Sequence, residues 1–459
     1  MIREDHIGEE HSQYTKYCEC WELIRDVLDG ECVIKENGIP YLPKPSGMDE
    51  GAYDEYKSRA RFLDITATSI ITLVGRLFKK DPTIKLSDGV ELPGNLGGIG
   101  VDINDLARKL TADVASYARH GLLVDFDEEL GHPKIVSYDV FSIKHWHQVN
   151  GQLKLLVLEE QRECCPLLED GHSKCRLLLY LDENGQYAIE RCELSNETTG
   201  KPRYVRGEPV YPTIAGKRLD YIPFVFVSPF GANCDVARPP LYGLASDAKA
   251  WYNTSADKRH TLHLTALATP YIALDVIALD SCPEDYKDMF KDMSVKLGGN
   301  GGILPGNSEI KFAEISGVGA DKLQQELDDI KQDMLLKAGL ISSGNLVNTA
   351  AETAIIAQGG HVATLDALAG NISDALTKAL RIWAEWAGYK PEEFSFELCK
   401  EFFDRKLNPQ EITALQAAYN GGIIDINTYR NNLRDAGIIA QKTSNEEIQE
   451  RVESDTNLL

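Results

Sequence analysis

Residues 317–388 read GVGADKLQQELDDIKQDMLLKAGLISSGNLVNTAAETAIIAQGGHVATLDALAGNISDALTKALRIWAEWAG. Leu323, Leu327, Ile330, Met334 and Leu335 recur at three- and four-residue spacing, which predicts one apolar face of a helix over 317–339. Asp321, Lys322, Gln325, Asp328, Asp329, Lys331 and Asp333 take its other faces. Gly339 and Gly344 bracket its expected end, and LISSGNLVNTA, 340–350, reads as an uncharged loop. A long Ala-rich helix then fills 351–388, with small residues at 351, 354, 357, 363, 367, 369, 375 and 379. Gly359-Gly360 inside it costs roughly 1 kcal/mol per Gly relative to Ala and predicts a kink. Such a helix suits close packing against copies of itself better than wrapping one core.

Upstream, SQYTKYCECWELIRDVLDG, 12–30, reads as a helix closed by Gly30. A turn-rich segment follows, in which Asn37-Gly38 predicts a hairpin or tight turn. One strong helix is expected from Glu50 to about Lys80, stopping before Asp81-Pro82, and another over about 103–121. Residues 134–230 alternate between short apolar runs and turn signals such as Asn150-Gly151, so a mostly antiparallel sheet is expected there. The fold class is α+β. LYGLASDAKAWYNTSADKRHTLHLTALA, 241–268, is a further helix, and 270–316 reads as a small β-α-β insert with the Gly-rich run GGNGG at 298–302. Residues 389–459 read as an acidic helical tail, with a helix–Gly turn–helix in PQEITALQAAYNGGIIDINTYRNNLRDAGII.

The 459 residues carry a formal charge of -23, and the densest basic run is RLFKK at 76–80. That balance argues against a sequence-reading DNA binder, but not against a surface that lets DNA pass without gripping it. No apolar run reaches ~18 residues, so no membrane span is expected. The polar, acidic start MIREDHIGEEHSQ is neither a signal nor a transit peptide, so synthesis in the cytoplasm is expected.

Catalytic and metal motifs were sought in turn. The ten cysteines form no C-x-x-C pair and read as ordinary thiols. GGNGGILPG, 298–306, lacks the Lys-Ser/Thr of a phosphate-binding loop and reads as a hairpin loop. His260 and His263, and His145 and His147, share a face in pairs but have no third ligand. No G-x-S-x-G occurs. No catalytic residue, metal or cofactor is therefore nominated, and the expectation is a non-enzyme.

The element order and local wording resemble the portal (head-to-tail connector) protein of tailed bacteriophages. The resemblance runs over about 15–440, through WELIRDVLDGECVIKENGIPYLPK, YDEYKSRARFLDITATSIITLVGRLFKKDP, ASYARHGLLVDFD, LDYIPFVFV, RPPLYGLASDAKAWYNTSADKRHTLHLTALATP and LNPQEITALQAAYNGGIIDINTYRNNLRDAGII. It implies a wing over 1–240, stem helices over 241–268 and 317–339, and a clip over 270–316. It also implies a tunnel loop over 340–350, a long kinked wing helix over 351–388 and a helical crown over 389–459. The implied assembly is a homo-oligomeric ring, usually a dodecamer, at one capsid vertex of the virion. The ring passes double-stranded DNA without reading its sequence. Implied partners are the terminase large subunit, a head-tail adaptor, and the major capsid and scaffolding proteins, with no membrane.

Within that frame Leu340, Ile341, Ser342, Ser343, Gly344, Asn345, Leu346, Val347 and Asn348 are the residues expected to meet DNA, the other reading being a plain interhelical connection. Lys322, Lys331 and Lys337 are candidates for rings of positive charge, or equally partners at i,i+3 and i,i+4 for Asp328, Asp329 and Asp333. Gly298, Gly299, Asn300, Gly301 and Gly302 are expected at the docking surface for terminase and adaptor. The competing function is a cytoplasmic hydrolase or transferase with a dispersed active site.

Overall fold

The computed structural model describes residues 6–98, 100–127, 131–161, 174–194, 204–231, 233–266, 269–273, 280–281, 283–284, 309–313, 318–342, 351–400, 409–435, 438–439 and 443–449. The chain is α+β. It opens with α1 (Ser12–Asp29), α2 (Glu31–Asn37), α3 (Glu50–Arg59) and α4 (Ile65–Leu77), then β1 (Thr83–Lys85) and α5 (Ile103–Tyr117). The strands β2 (His120–Asp127), β3 (His132–Tyr138), β4 (Ile143–Val149), β5 (Gln152–Gln161), β6 (Lys174–Leu181), β7 (Tyr187–Leu194), β8 (Tyr204–Arg206), β9 (Thr213–Ile214), β10 (Lys217–Arg218) and β11 (Phe224–Val227) follow. Next come α6 (Tyr242–Ala266), β12 (Thr269–Ala273), β13 (Glu309–Ala313), α7 (Val318–Ser342) and α8 (Ala351–Trp386). The chain closes with β14 (Ser395–Glu397), α9 (Pro409–Asn420) and α10 (Ile426–Asp435).

Two antiparallel sheets form the body, in the orders β11-β2-β3 and β4-β5-β6-β7-β8. The five-stranded sheet is an up-and-down meander whose β4–β5 turn is the expected Asn150-Gly151. Both residues there have positive φ, 50° and 80°, the twist that a two-residue hairpin requires. Its strands alternate cleanly. Leu156, Leu158, Leu177 and Leu179 face the main core, while Val157 and Leu178 face the other side. In the smaller sheet β2 is central and buried, and Gly121 is needed there because any Cβ would collide with the ring of Phe224 on β11.

Three expectations change and a fourth narrows. The helix expected over Glu50–Lys80 is two helices. Asp64 caps α4 by accepting the Ala67 amide at 3.2 Å, and Ser255 Oγ of α6 accepts the Arg61 amide at 3.1 Å, so the chain turns between them. The hairpin or tight turn expected near Asn37-Gly38 is a tight turn directly after the C-terminus of α2, with the Tyr41 amide donating to the Gly38 carbonyl at 2.9 Å. Buried Asp26 fastens it by accepting from Asn37 Nδ2 at 2.8 Å and Tyr41 OH at 2.6 Å. The second long helix does not stop at Gly339 but runs to Ser342. The tail does not begin at 389, because β14 pairs with β1, and Phe394, Phe396 and Leu398 are buried in the body.

Of the small residues of α8, Ala369, Ala375 and Ala379 are buried in the chain's own core and Ala367 is exposed, while the side chains at 351, 354, 357 and 363 lie outside those described. Leu365, Leu368, Ala369, Ile372, Ala375, Leu376, Ala379, Leu380, Trp383 and Ala384 form one buried stripe within the chain's own core. Ser373 Oγ accepts the Leu398 amide and Thr377 Oγ1 accepts the Phe396 amide, both at 3.0 Å, which docks the β14 segment on the helix. α8 runs as helix through Gly359-Gly360. Phe396→Ala is expected to lower unfolding free energy by about 3–5 kcal/mol, read by urea denaturation. A loss below about 1 kcal/mol would place β14 outside the core.

Candidate functional site

The stem-like excursion between the body and α8 is built from α6 and α7. Asp247 of α6 pairs with Lys337 of α7, and Lys258 further along α6 meets Gln324 further back on α7, so the helices are antiparallel. β12 and β13 continue that antiparallel path, with Thr269 opposite Ala313 and Ala273 opposite Glu309. The base of α6 is buried through Leu241, Leu244, Ala245, Ala248, Tyr252 and Ala256. Tyr56 OH on α3 donates to Asp257 at 2.5 Å. Toward its far end Leu262 and Leu264 are exposed.

On α7 the buried positions are Ala320, Leu327, Met334 and Ala338, with Leu323 and Ile330 half-buried. This is the expected apolar face with one exception, since Leu335 is 45% exposed. At 3.6 residues per turn the opposite face carries Asp321, Lys322, Gln325, Asp329, Gln332 and Leu336. Lys331 lies about half a turn from Lys322 and flanks the buried face. Lys322 and Lys331 are exposed and have no carboxylate within 4 Å among the described residues. Lys337 is tied to Asp247 rather than to an acid on its own helix. The three lysines therefore do not share one face.

Leu340, Ile341 and Ser342, expected in the loop, belong to the last turn of α7. Ser343, Gly344, Asn345, Leu346, Val347 and Asn348 lie outside the described residues, as do Gly298, Gly299, Asn300, Gly301 and Gly302.

Three polar arrangements were not legible in the sequence. In the first, Asp113 on α5, His120 on β2 and Ser137 on β3 converge. His120 Nε2 is 3.0 Å from Ser137 Oγ, and Nδ1 is 3.0 Å from Asp113 Oδ2. The order resembles a hydrolase triad, but the imidazole–carboxylate contact is out of line for a hydrogen bond. His120 is 0% exposed, sealed between helix and sheet, and the trio lines neither of the two cavities described next. The contact it makes by hydrogen bond is the one between His120 and Ser137, which joins β2 to β3.

In the second, Arg119 is 2% exposed and lies 3.9 Å from the Trp146 ring centre and 4.6 Å from that of Phe226. It donates to the Cys234 carbonyl at 2.8 Å, and burial pushes its pKa down to about 9. In the third, Arg206 grips Glu190 through Nε at 2.5 Å and Nη2 at 2.7 Å, holding that carboxyl below its usual range against the opposing effect of burial.

A cavity of about 430 Å³ lies between β11 and α8, lined by Leu153, Ile222, Phe224, Phe226, Lys378 and Arg381. A second cavity, of about 710 Å³, lies beside Lys154, Tyr180 and Arg206. Among the described residues no group of three His, Cys, Asp or Glu side chains could hold a metal, and no helix is long and apolar enough to cross a membrane.

His120→Gln is expected to cost about 1–3 kcal/mol of stability, because the buried Ser137 hydroxyl loses its partner. A fluorophosphonate is expected to leave Ser137 unlabelled. Labelling of Ser137 abolished by His120→Gln would make the trio a reactive centre.

Residues 240–387, the span from the start of α6 to the end of α8, match the model of a family described as a domain of unknown function, DUF4055. No curated protein matches the chain. Among solved structures, one match is a chain from the neck of an empty gene transfer agent (GTA) particle computed with C6 symmetry. It is 11% identical, covers 85% of this chain and 95% of that one, and has a TM-score of 0.42. Another is a chain from the virion of a native GTA particle, 10% identical, covering 85% of this chain and 94% of that one, with a TM-score of 0.37.

Proposed function

We propose that this chain is a phage portal subunit, a non-enzymatic structural component of the virion. Copies would form a ring at one capsid vertex through which double-stranded DNA enters and leaves. The observation that carries the reading is the antiparallel α6–α7 arm, interrupted by the β12–β13 ribbon and followed by α8 returning to the body. That order supports a wing, stem, clip, stem and long wing helix, as the sequence resemblance implies. A two-stranded ribbon is marginal in water by itself, so the clip is expected to be completed by a neighbouring copy. The docking surface for terminase and then a head-tail adaptor falls on the clip in this reading, with the Gly-rich run 298–302 in it. Capsid and scaffolding proteins contact the wing.

The outward face of α7 is the channel wall in this reading. Its helix carries five carboxylates, Asp321, Glu326, Asp328, Asp329 and Asp333, against three lysines. Acidic walls repel the phosphate backbone and keep DNA from sticking. Lys322, on that face and exposed, is the lysine placed to moderate the repulsion. Purified protein is expected to form rings in negative stain, with a mass corresponding to about ten or more chains. A stable monomer to tetramer under all conditions would overturn the ring and favour a cytoplasmic enzyme instead.

The loop after α7 is proposed to narrow the channel and steady packaged DNA. It is uncharged from Leu340 to Ala350, so it can touch DNA without the counterion-release affinity that would stall sliding. Replacing both Ser343 and Asn345 by Lys is expected to raise DNA retention and slow packaging at low salt, both effects fading at high salt. Normal packaging and retention at low salt would remove the loop from the channel.

A further inference from the structure

Residues 7–11 run over the five-stranded sheet on the side away from the main core, ahead of α1. Ile7 is 1% exposed and seals a small second core with Val157, Leu178, Cys192 and Tyr204. Arg176 Nη1 donates to the Ile7 carbonyl at 2.6 Å, and Lys144 Nζ is 3.4 Å from Glu10. His11 stands where this strap becomes helix. Its amide donates to the Lys144 carbonyl at 2.9 Å, and its Nδ1 accepts the Gln13 amide at 3.2 Å, capping α1. An accepting Nδ1 carries no proton, so the capping imidazole is the neutral form with its proton on Nε2.

The surroundings favour that form. The His11 ring stacks on Trp146 with centroids 3.9 Å apart and planes 21° apart. The Arg119 guanidinium carbon is also 3.9 Å from the Trp146 ring centre. Two planar groups this close to one ring centre would overlap on a shared face, so they occupy opposite faces of the indole. His145 meets His11 edge-on at 5.4 Å.

We propose that His11 makes the strap an acid-released latch, docked while its imidazole is neutral and freed when the ring is protonated. Protonation removes the acceptor that caps α1 and sets a cation one indole away from a buried guanidinium. The charged and titratable groups around it are His145, His147 and Lys144 from β4, Arg119 from the end of α5 and Arg176 from β6. Glu9 and Glu10 of the strap, Glu159 from β5 and Asp235 from the segment after β11 complete the set. Burial, then His145 and Arg119, lower the His11 pKa, and Asp235 opposes them without reversing the direction. His145 is lowered too, by burial and then His147. The docked strap therefore binds protons less readily than the released one. Its stability is complete above the ordinary imidazole range and declines as pH falls into and below that range.

Hydrogen exchange read by mass spectrometry on the full chain, corrected for intrinsic rates, tests this at about pH 7.5 and about pH 5. Wild-type protection over residues 7–15 is expected to fall about tenfold at the lower pH. His11→Asn supplies a neutral cap, so its protection should match wild type at the higher pH and fall less than about twofold at the lower. His145→Gln keeps His11 but removes a group that disfavours its protonation in the docked strap, so the wild-type fall in protection should shrink and its midpoint move down by a few tenths of a pH unit, roughly. Equal falls in wild type and His11→Asn, no fall in wild type, or an unmoved midpoint in His145→Gln would each overturn the latch.

Discussion

The burial of one face of α8 is the constraint on which the body depends. Its stripe from Leu365 to Ala384 packs on β2, β3, β11, α5 and β14 together, so elements far apart in sequence share one helix as their floor. Alanines at 369, 375, 379 and 384 let strands approach closely, while Leu376, Leu380 and Trp383 fill the space between. Each fully buried large apolar side chain contributes roughly 1.5–3 kcal/mol, and polar groups on the same face set the register. Trp383 Nε1 donates to the Pro133 carbonyl of β3 at 2.7 Å, and Ser373 and Thr377 receive β14. A stripe that apolar would have suited an interface between copies equally well. The returning strand β14 covers part of the face that the sequence alone left open.

What was legible in the sequence was periodicity within a segment. The meander of β4 to β7, the apolar face of α7 and the helix–Gly turn–helix of α9 and α10 all follow from local pattern and turn chemistry. What was illegible depended on a partner distant in the chain. The break between α3 and α4 has a local sign in Asp64, whose capping role was overlooked, but also a remote one in Ser255. The pairing of β1 with β14 joins residues 83–85 to 395–397, and three-residue strands carry no periodicity to read. Gly339 was read as a helix stop because Gly is a poor helix former, by about 1 kcal/mol. Burial of Met334 and Ala338 in the turn leading up to Gly339 outweighs so small a preference.

Of the candidate site, the outward acidic face of α7 was legible and the grouping of its lysines was not. Lys337 finds Asp247, a residue 90 positions earlier, rather than a neighbour one turn away. The same holds for the buried cations. A chain with a net charge of -23 still encloses Arg119, Lys144 and Arg176, each 8% exposed or less. Lys144 and Arg176 share Glu159, at 3.7 and 3.6 Å. Arg119 is held mainly by aromatic faces and one carbonyl, which is why burial depresses it so far. Lys144 and Arg176 thus tie the N-terminal strap to β4, β5 and β6.

The α6–α7 arm differs from the body in its energetics. Near the base, α6 lies against α1, α3 and α4 as well as α7, and its apolar positions are buried. Farther out Leu262, Leu264 and Val318 stand exposed, by 43%, 49% and 60%. Two helices bury only one stripe each, and a two-stranded ribbon beyond them adds no layer. A long arm of that kind buries less apolar surface per residue than the body does.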